Sequence, residues 1–318
     1  MRIIERVADL LEPVAPHTRK HPAADGASEA IAPDVIERAA GNAGRRPEFV
    51  IAQDPATGAK AAERSARAGG SDPRTLNIDV DKLREQSMIT PDSARTPTAE
   101  SFRQIKRHIV ANVANPKAEP GTNLVMITSA LPGEGKTFCS INLAFSLALE
   151  MDRTVLLVDA DVAKPSVLTA LGVDAKGGLM DVLLDRSIDL GDVLCKTNIG
   201  KLTILPAGTQ HRQATELLAS EAMRALLVEM AERYRDRIII FDSPPLLAAS
   251  ESAALAGRMG QILVVVEAGK TTESALKDAL HRIDARNVVG LLLNKGQSLG
   301  SGNYGSGYGY GYGYGYGE

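Results

Sequence analysis

The chain has 318 residues, 24% of them charged, and its 36 basic and 39 acidic side chains leave a formal net charge of −3. No global field therefore pulls it toward nucleic acid or anionic lipid, and no apolar run approaches the ~20 residues that span a bilayer. The start of the chain lacks a secretory apolar segment, and its two cysteines, Cys139 and Cys195, show no metal-ligand spacing. Two inert thiols in a reducing, cytoplasmic setting are the expectation.

Residues 1–75 mix Ala, Gly, Pro and charge with few large apolar side chains, which predicts a largely disordered arm. Within it, Ile3, Val7, Leu10, Leu11 and Val14 share one helical face that Pro13 and Pro16 end. An amphipathic helix over 1–14 would either dock on a partner or on the chain's own core, or remain weak and solvated. The next periodic stretch, Thr98 through Val113, predicts a basic helix N-capped by Thr98 or Ser101.

From Asn123 onward, apolar runs of strand length alternate with stretches of helical period. Strands are predicted from Leu124, Thr154, Leu202, Arg237, Gln261 and Val289, and helices over Lys136–Glu150, Ser220–Tyr234, Ser250–Arg258 and Thr272–Asp284. Several strands are apolar on both faces, so helices must cover both sides of the sheet. Residues 76–296 thus read as one doubly wound α/β domain with a mostly parallel sheet, which binds ligands at the carboxyl ends of its strands. The last segment, 297–318, alternates Tyr with Gly and carries six of the seven tyrosines: Tyr304, Tyr308, Tyr310, Tyr312, Tyr314 and Tyr316. Such a segment has little aliphatic surface to bury and a high backbone entropy, which predicts a flexible tail with reachable phenols. Simple self-association of a low-complexity tail is the competing reading.

Between the first predicted strand and the helix after it lies SALPGEGKT, Ser129 to Thr137, a Walker A loop with Ala130 at the usual leading glycine. Pro132, Gly133, Glu134, Gly135, Lys136, Thr137 and Phe138 form the expected nucleotide cradle. Gly133 and Gly135 let backbone N–H groups close on a phosphate, Lys136 can bridge the β- and γ-phosphates of ATP, and the Thr137 hydroxyl can ligate Mg²⁺. Two later strands end on carboxylates, Asp159 with Asp161 and then Asp242. All three are expected to converge on the loop, either as metal-sphere and base groups or as helix caps.

These motifs, in this order and spacing, resemble those of the bacterial tyrosine kinases, most closely the freestanding exosortase-associated tyrosine autokinases of exopolysaccharide loci. The resemblance covers Leu76 to the end of the chain. It implies that VLLVDADVAKP is the second Walker motif, that IIIFDSPP is Walker B, and that the terminal tyrosines are phosphoacceptors. It also implies catalysis by Lys136, Asp159, Asp161 and Asp242, with Asp159 or Asp161 as base, Mg²⁺ held by Thr137, Asp161 and Asp242, and adenine contacted by Asn294. The stretch ESFRQIKR resembles an oligomerisation motif carried by Glu100, Arg103 and Lys106, where the family usually has Arg at the last position. A second departure is Ala163, with Lys164 beside it, where the pattern generally ends in Arg. The implied partners are a second copy of the chain, a membrane-embedded polysaccharide chain-length regulator or co-polymerase that activates the kinase, and a cognate phosphotyrosine phosphatase. That regulator would recruit the chain to the inner face of the plasma membrane. Two other functions share the fold: a positioning-type P-loop ATPase switch, whose second loop lysine would stand where this chain has Leu131, and a non-catalytic ATP-binding regulatory subunit.

Overall fold

Alternate residues of each central strand are apolar on opposite faces, and both faces are buried. In β3 (Leu124–Ser129), Leu124 and Met126 enter one core while Val125 and Ile127 enter the other. The same alternation holds in β4 (Thr154–Asp159), β7 (Arg237–Asp242) and β8 (Gln261–Glu267). A sheet covered on both sides has this pattern. The computed structural model describes residues 74–92, 96–149, 153–283 and 290–296, and the backbone alone of Ile3, Ile4, Val288 and Val289.

The nine-stranded sheet runs β1-β9-β8-β3-β7-β4-β6-β5-β2. Its remaining strands are β1 (Ile3–Ile4), β2 (Thr75–Leu76), β5 (Cys195–Thr197), β6 (Leu202–Leu205) and β9 (Val288–Asn294). Pairing is parallel except at β1 with β9 and β5 with β6. All six predicted strands are present. The amphipathic helix expected over 1–14 is contradicted at Ile3 and Ile4, which instead pair with Leu292 and Leu291 as an edge strand; their β-branched side chains favour that state. The rest of that segment, and the arm expected to be disordered, lie outside the described residues.

One core lies under α5 (Leu179–Leu184), α6 (Leu190–Val193), α7 (Ala214–Ala219), α8 (Glu221–Arg233), α9 (Ser250–Ala256) and α10 (Glu273–Leu280). The other lies under α1 (Val80–Glu85), α2 (Pro97–Ala114), α3 (Lys136–Ala148) and α4 (Val167–Leu171). The predicted helices recur as α2, α3, α8, α9 and α10, with ends trimmed by a few residues. The N-cap of α2 is Thr96, whose Oγ1 accepts from Ala99 N at 3.1 Å, rather than Thr98 or Ser101. Pro97 fixes the first turn and sets the start two residues earlier than the periodicity implies. In α8 and its flank, the guanidinium groups of Arg233 and Arg237 lie 5.7 and 4.5 Å from the centre of the Tyr234 ring. Cys139 and Cys195 are both buried free thiols, and burial raises the pKa of each, as inert core thiols require.

Helix α3 is buried on nearly every side because α2 and the segment before it cover the face turned away from the sheet. Phe102, Ile105 and Ile109 of α2 enter this core. Lys106 donates to the carbonyl of Ser146 at 3.0 Å, near the end of α3. Asn142 fastens the preceding segment: its Oδ1 accepts from Ile89 N at 2.7 Å and its Nδ2 donates to Phe138 O at 2.7 Å. Replacing Asn142 with Leu leaves the buried Ile89 N–H without a partner, which costs about 1–3 kcal/mol. Urea unfolding of N142L is expected to show a lower midpoint with an unchanged slope.

Candidate active site

The carboxyl ends of β3, β7 and β4 lie side by side. Register pairs Ile127 with Asp242 and Asp159 with Asp242, so the loop that follows β3 opens beside two carboxylates. Gly133 and Gly135 have φ of 85° and 96°, in the left-handed region that lets the loop fold back onto the start of α3. A Cβ at Gly135 would stand 2.1 Å from Asn294 Nδ2. The loop is therefore clamped from outside as well as from the sheet.

Lys136 opens α3 and is buried, with Asp161 and Asp242 inside its field. Thr137 Oγ1 donates to Asp242 Oδ2 at 2.7 Å and lies 2.7 Å from Ser166 Oγ. Ser140, one turn further, donates to Asp242 Oδ1 at 3.0 Å. Asp242 is 0% exposed, and burial raises its pKa to about 6 against the pull of Thr137, Lys136 and Ser140. Asp159 is 1% exposed. Its Oδ2 accepts from the N–H groups of Ser166 and Val167, both at 3.0 Å, while its Oδ1 is buried without a hydrogen-bond partner. Burial first, and Asp242 beside it second, raise the Asp159 pKa to about 7. Asp159 thus serves the start of α4 with one oxygen and keeps the other available.

Asp161 is more open, accepts from Lys164 N at 3.2 Å, and has its pKa raised chiefly by burial. The three predicted carboxylates do share one electrostatic neighbourhood. Among the described residues, however, no group of three His, Cys, Asp or Glu makes an all-protein metal cage. An oxygen pair such as Thr137 and Asp242 suits Mg²⁺, which keeps several waters and takes phosphate oxygens from its substrate.

Other predicted residues are placed differently from one another. Glu134 is 2% exposed and braces the loop: Oε2 accepts from Leu131 N at 2.8 Å, and Oε1 accepts from the Thr271 hydroxyl. Any contact of Glu134 with nucleotide falls to its backbone. Phe138 is partly buried and packs against the core under α3. Pro132 is exposed at the loop crest. Asn294, expected at the adenine ring, is 7% exposed and donates to Glu134 O at 2.9 Å, so it is a brace on the loop. Glu100 and Arg103 form an i, i+3 pair on α2, and Lys106 turns inward to α3. The phosphoacceptor tyrosines lie outside the described residues. Ser140, Ser166, Thr271 and Lys295 were not foreseen; only Ser140, one helical turn after Lys136, has a local sequence signal.

The model of the AAA domain family matches residues 122–288, more than half of the chain. The tyrosine-protein kinase YwqD of Bacillus subtilis is 32% identical over 213 residues, which span 66% of this chain and 86% of that relative. The chain belongs to the bacterial tyrosine-protein kinases. Longer relatives of this kinase include the succinoglycan biosynthesis transport protein ExoP of Rhizobium meliloti, 34% identical over 71% of this chain but matching only 28% of ExoP. Among solved structures, the VpsO kinase domain superposes with a TM-score of 0.54 at 30% identity, covering 67% of this chain and 97% of that domain. The BceF tyrosine kinase domain superposes with a TM-score of 0.53 at 27% identity, covering 81% and 94% respectively. Among the described residues, no helix of the kinase is long and apolar enough to cross a membrane.

The buried carboxylates make a stability prediction. Asp159 has a folded pKa above its unfolded value of about 3.9, so the folded chain binds more protons between about pH 4 and 7. Its ionisation therefore opposes folding progressively as pH rises through that window, and fully above it. Asp159→Asn keeps the shape and removes the charge. Without nucleotide at pH 8, the variant is expected to gain about 1–3 kcal/mol and to lose part of the decline in stability between pH 5 and 8. Thermal unfolding across pH checks both.

Proposed function

We propose that this kinase is an ATP-dependent tyrosine autokinase, with its catalytic domain over 76–296, and that it phosphorylates the tyrosine cluster of its own tail over 297–318. The observation that carries the reading is Asp159 Oδ1, a buried, unpartnered carboxylate oxygen on a strand that ends beside the Walker A loop. A cavity of about 430 Å³ reaches Asp159 between Pro165, Leu168, Lys176 and Pro206, and it is the proposed entrance for the acceptor phenol.

In the proposed reaction, Lys136 and the N–H groups of Gly133 to Thr137 hold the phosphates, with Asn294 bracing the loop from outside. Mg²⁺, held by Thr137 and Asp242 with Asp161 in the outer sphere, would neutralise phosphate charge. The tyrosine oxygen forms a bond to the γ-phosphorus, the bond from that phosphorus to the bridging oxygen of ADP breaks, and the phenol proton passes to Asp159. A base whose pKa lies near 7 suits proton acceptance at neutral pH.

Transfer is proposed to run between copies, with Glu100, Arg103 and Lys106 at or near the contact. A Gly-rich coil as long as the stretch from Gly296 to Glu318 has an r.m.s. reach of roughly 25 Å, enough to enter a neighbour. Six phosphotyrosines add about −9 to −12 charges, which would drive assembled copies apart until a phosphatase resets them. By its likeness to ExoP and to the exopolysaccharide-linked autokinases, the enzyme is proposed to regulate polysaccharide export with a membrane-embedded co-polymerase as activator.

The test mixes full-length Lys136→Met, as acceptor, with an active chain lacking residues 300–318, as donor. Mass spectrometry is expected to find phosphate on the tail of the inactive chain, and its absence rejects transfer in trans. Lys136→Met alone is expected to lose activity about 10²–10³-fold. Wild-type chain that gains no phosphate with MgATP and its activator rejects the autokinase reading altogether.

A further inference from the structure

The outer side of the phosphate loop is gripped by two consecutive residues at the end of β9. Asn294 Nδ2 donates to the Glu134 carbonyl at 2.9 Å, and Lys295 Nζ donates to the Gly133 carbonyl at 2.7 Å. Successive side chains of an extended strand point to opposite faces, so two neighbours reach the same loop only if the backbone departs from that geometry. It does: Lys295 has φ 55°, a left-handed conformation that strains a non-glycine residue. Its ammonium is fixed from the other side by Glu267, whose Oε2 lies 3.3 Å away. The loop thus has a second lysine although position 131 is Leu, with its ammonium on the carbonyl side of the backbone.

Each carbonyl held in this way belongs to the same peptide unit as the next N–H. The Gly133 carbonyl is conjugated with Glu134 N–H, and the Glu134 carbonyl with Gly135 N–H. A donor on the oxygen draws electron density from the amide and makes its N–H a stronger donor, more so when the donor is charged. Resting on the reading of this loop as the ATP site, we propose that Lys295 and Asn294 are positioning residues that polarise and fix these two N–H groups for the β-phosphate, so that they set affinity for nucleoside diphosphates and triphosphates over monophosphates.

Lys295→Gly tests this, because glycine adopts φ 55° without strain. A residue that only holds the fold would lose stability and ligand together. The proposal expects K295G to melt, without nucleotide, at or above the wild-type temperature while binding ADP about 3–10-fold more weakly, with AMP affinity unchanged. Lys295→Arg, which keeps a charged donor, is expected to recover part of the loss. Calorimetric titration of ADP, MgADP and AMP into wild type, K295G and K295R gives the comparison. Equal ADP affinity in wild type and K295G, or equal losses for ADP and AMP, overturns the proposal and leaves the ATP site standing. Wild type that binds neither ADP nor MgADP overturns both.

Discussion

The parallel register that sets Asp159 abreast of Asp242 is the constraint on which the nucleotide end of the molecule depends. Adjacent strands lie about 4.8 Å apart, so two carboxylates at paired strand ends face each other whatever their side chains do. Because β7 lies between β3 and β4, the loop after β3 opens onto the same pair. Thr137 and Ser140, from the first turns of the next helix, then share the two oxygens of Asp242. One choice of strand order therefore brings the lysine, the hydroxyls and the acids together.

That arrangement is costly in isolation. Two buried acids, one with an oxygen lacking any partner, and a lysine in a left-handed conformation all oppose folding. The opposing stabilisation comes from two apolar cores, one on each face of the sheet, that bury the body of every central strand. The strained and charged groups sit at strand ends, where the cores stop. Chemistry is thus confined to one rim of a scaffold that otherwise follows ordinary packing.

How much of this was legible varies with how local its cause is. The six principal strands could be read because residues such as Val155 to Val158 are apolar on both faces, a pattern few other elements produce. The short helices α4 to α7 and the strands β2 and β5 could not, since each is only two to six residues long and is fixed by its neighbours. Asp159, Asp161, Asp242 and the loop were found through motifs. Glu134 was read as a nucleotide contact because its motif position is known, whereas its side chain turns back to Leu131 and Thr271. Thr271 and Lys295 escaped because they arrive from the turns that follow β8 and β9, more than 100 residues further along the chain, with no spacing that links them to the loop. The start of α2 was legible in principle, in the Thr96-Pro97 pair.

Tyr234, flanked by two guanidinium groups, has an optical consequence. The protein contains no tryptophan, and Tyr234 is the one tyrosine outside the terminal cluster. Near-ultraviolet absorbance and intrinsic emission of the unlabelled polypeptide therefore come mostly from its last fifteen residues. Esterification of those phenols would register as spectral bleaching against a single, stationary chromophore in the catalytic body.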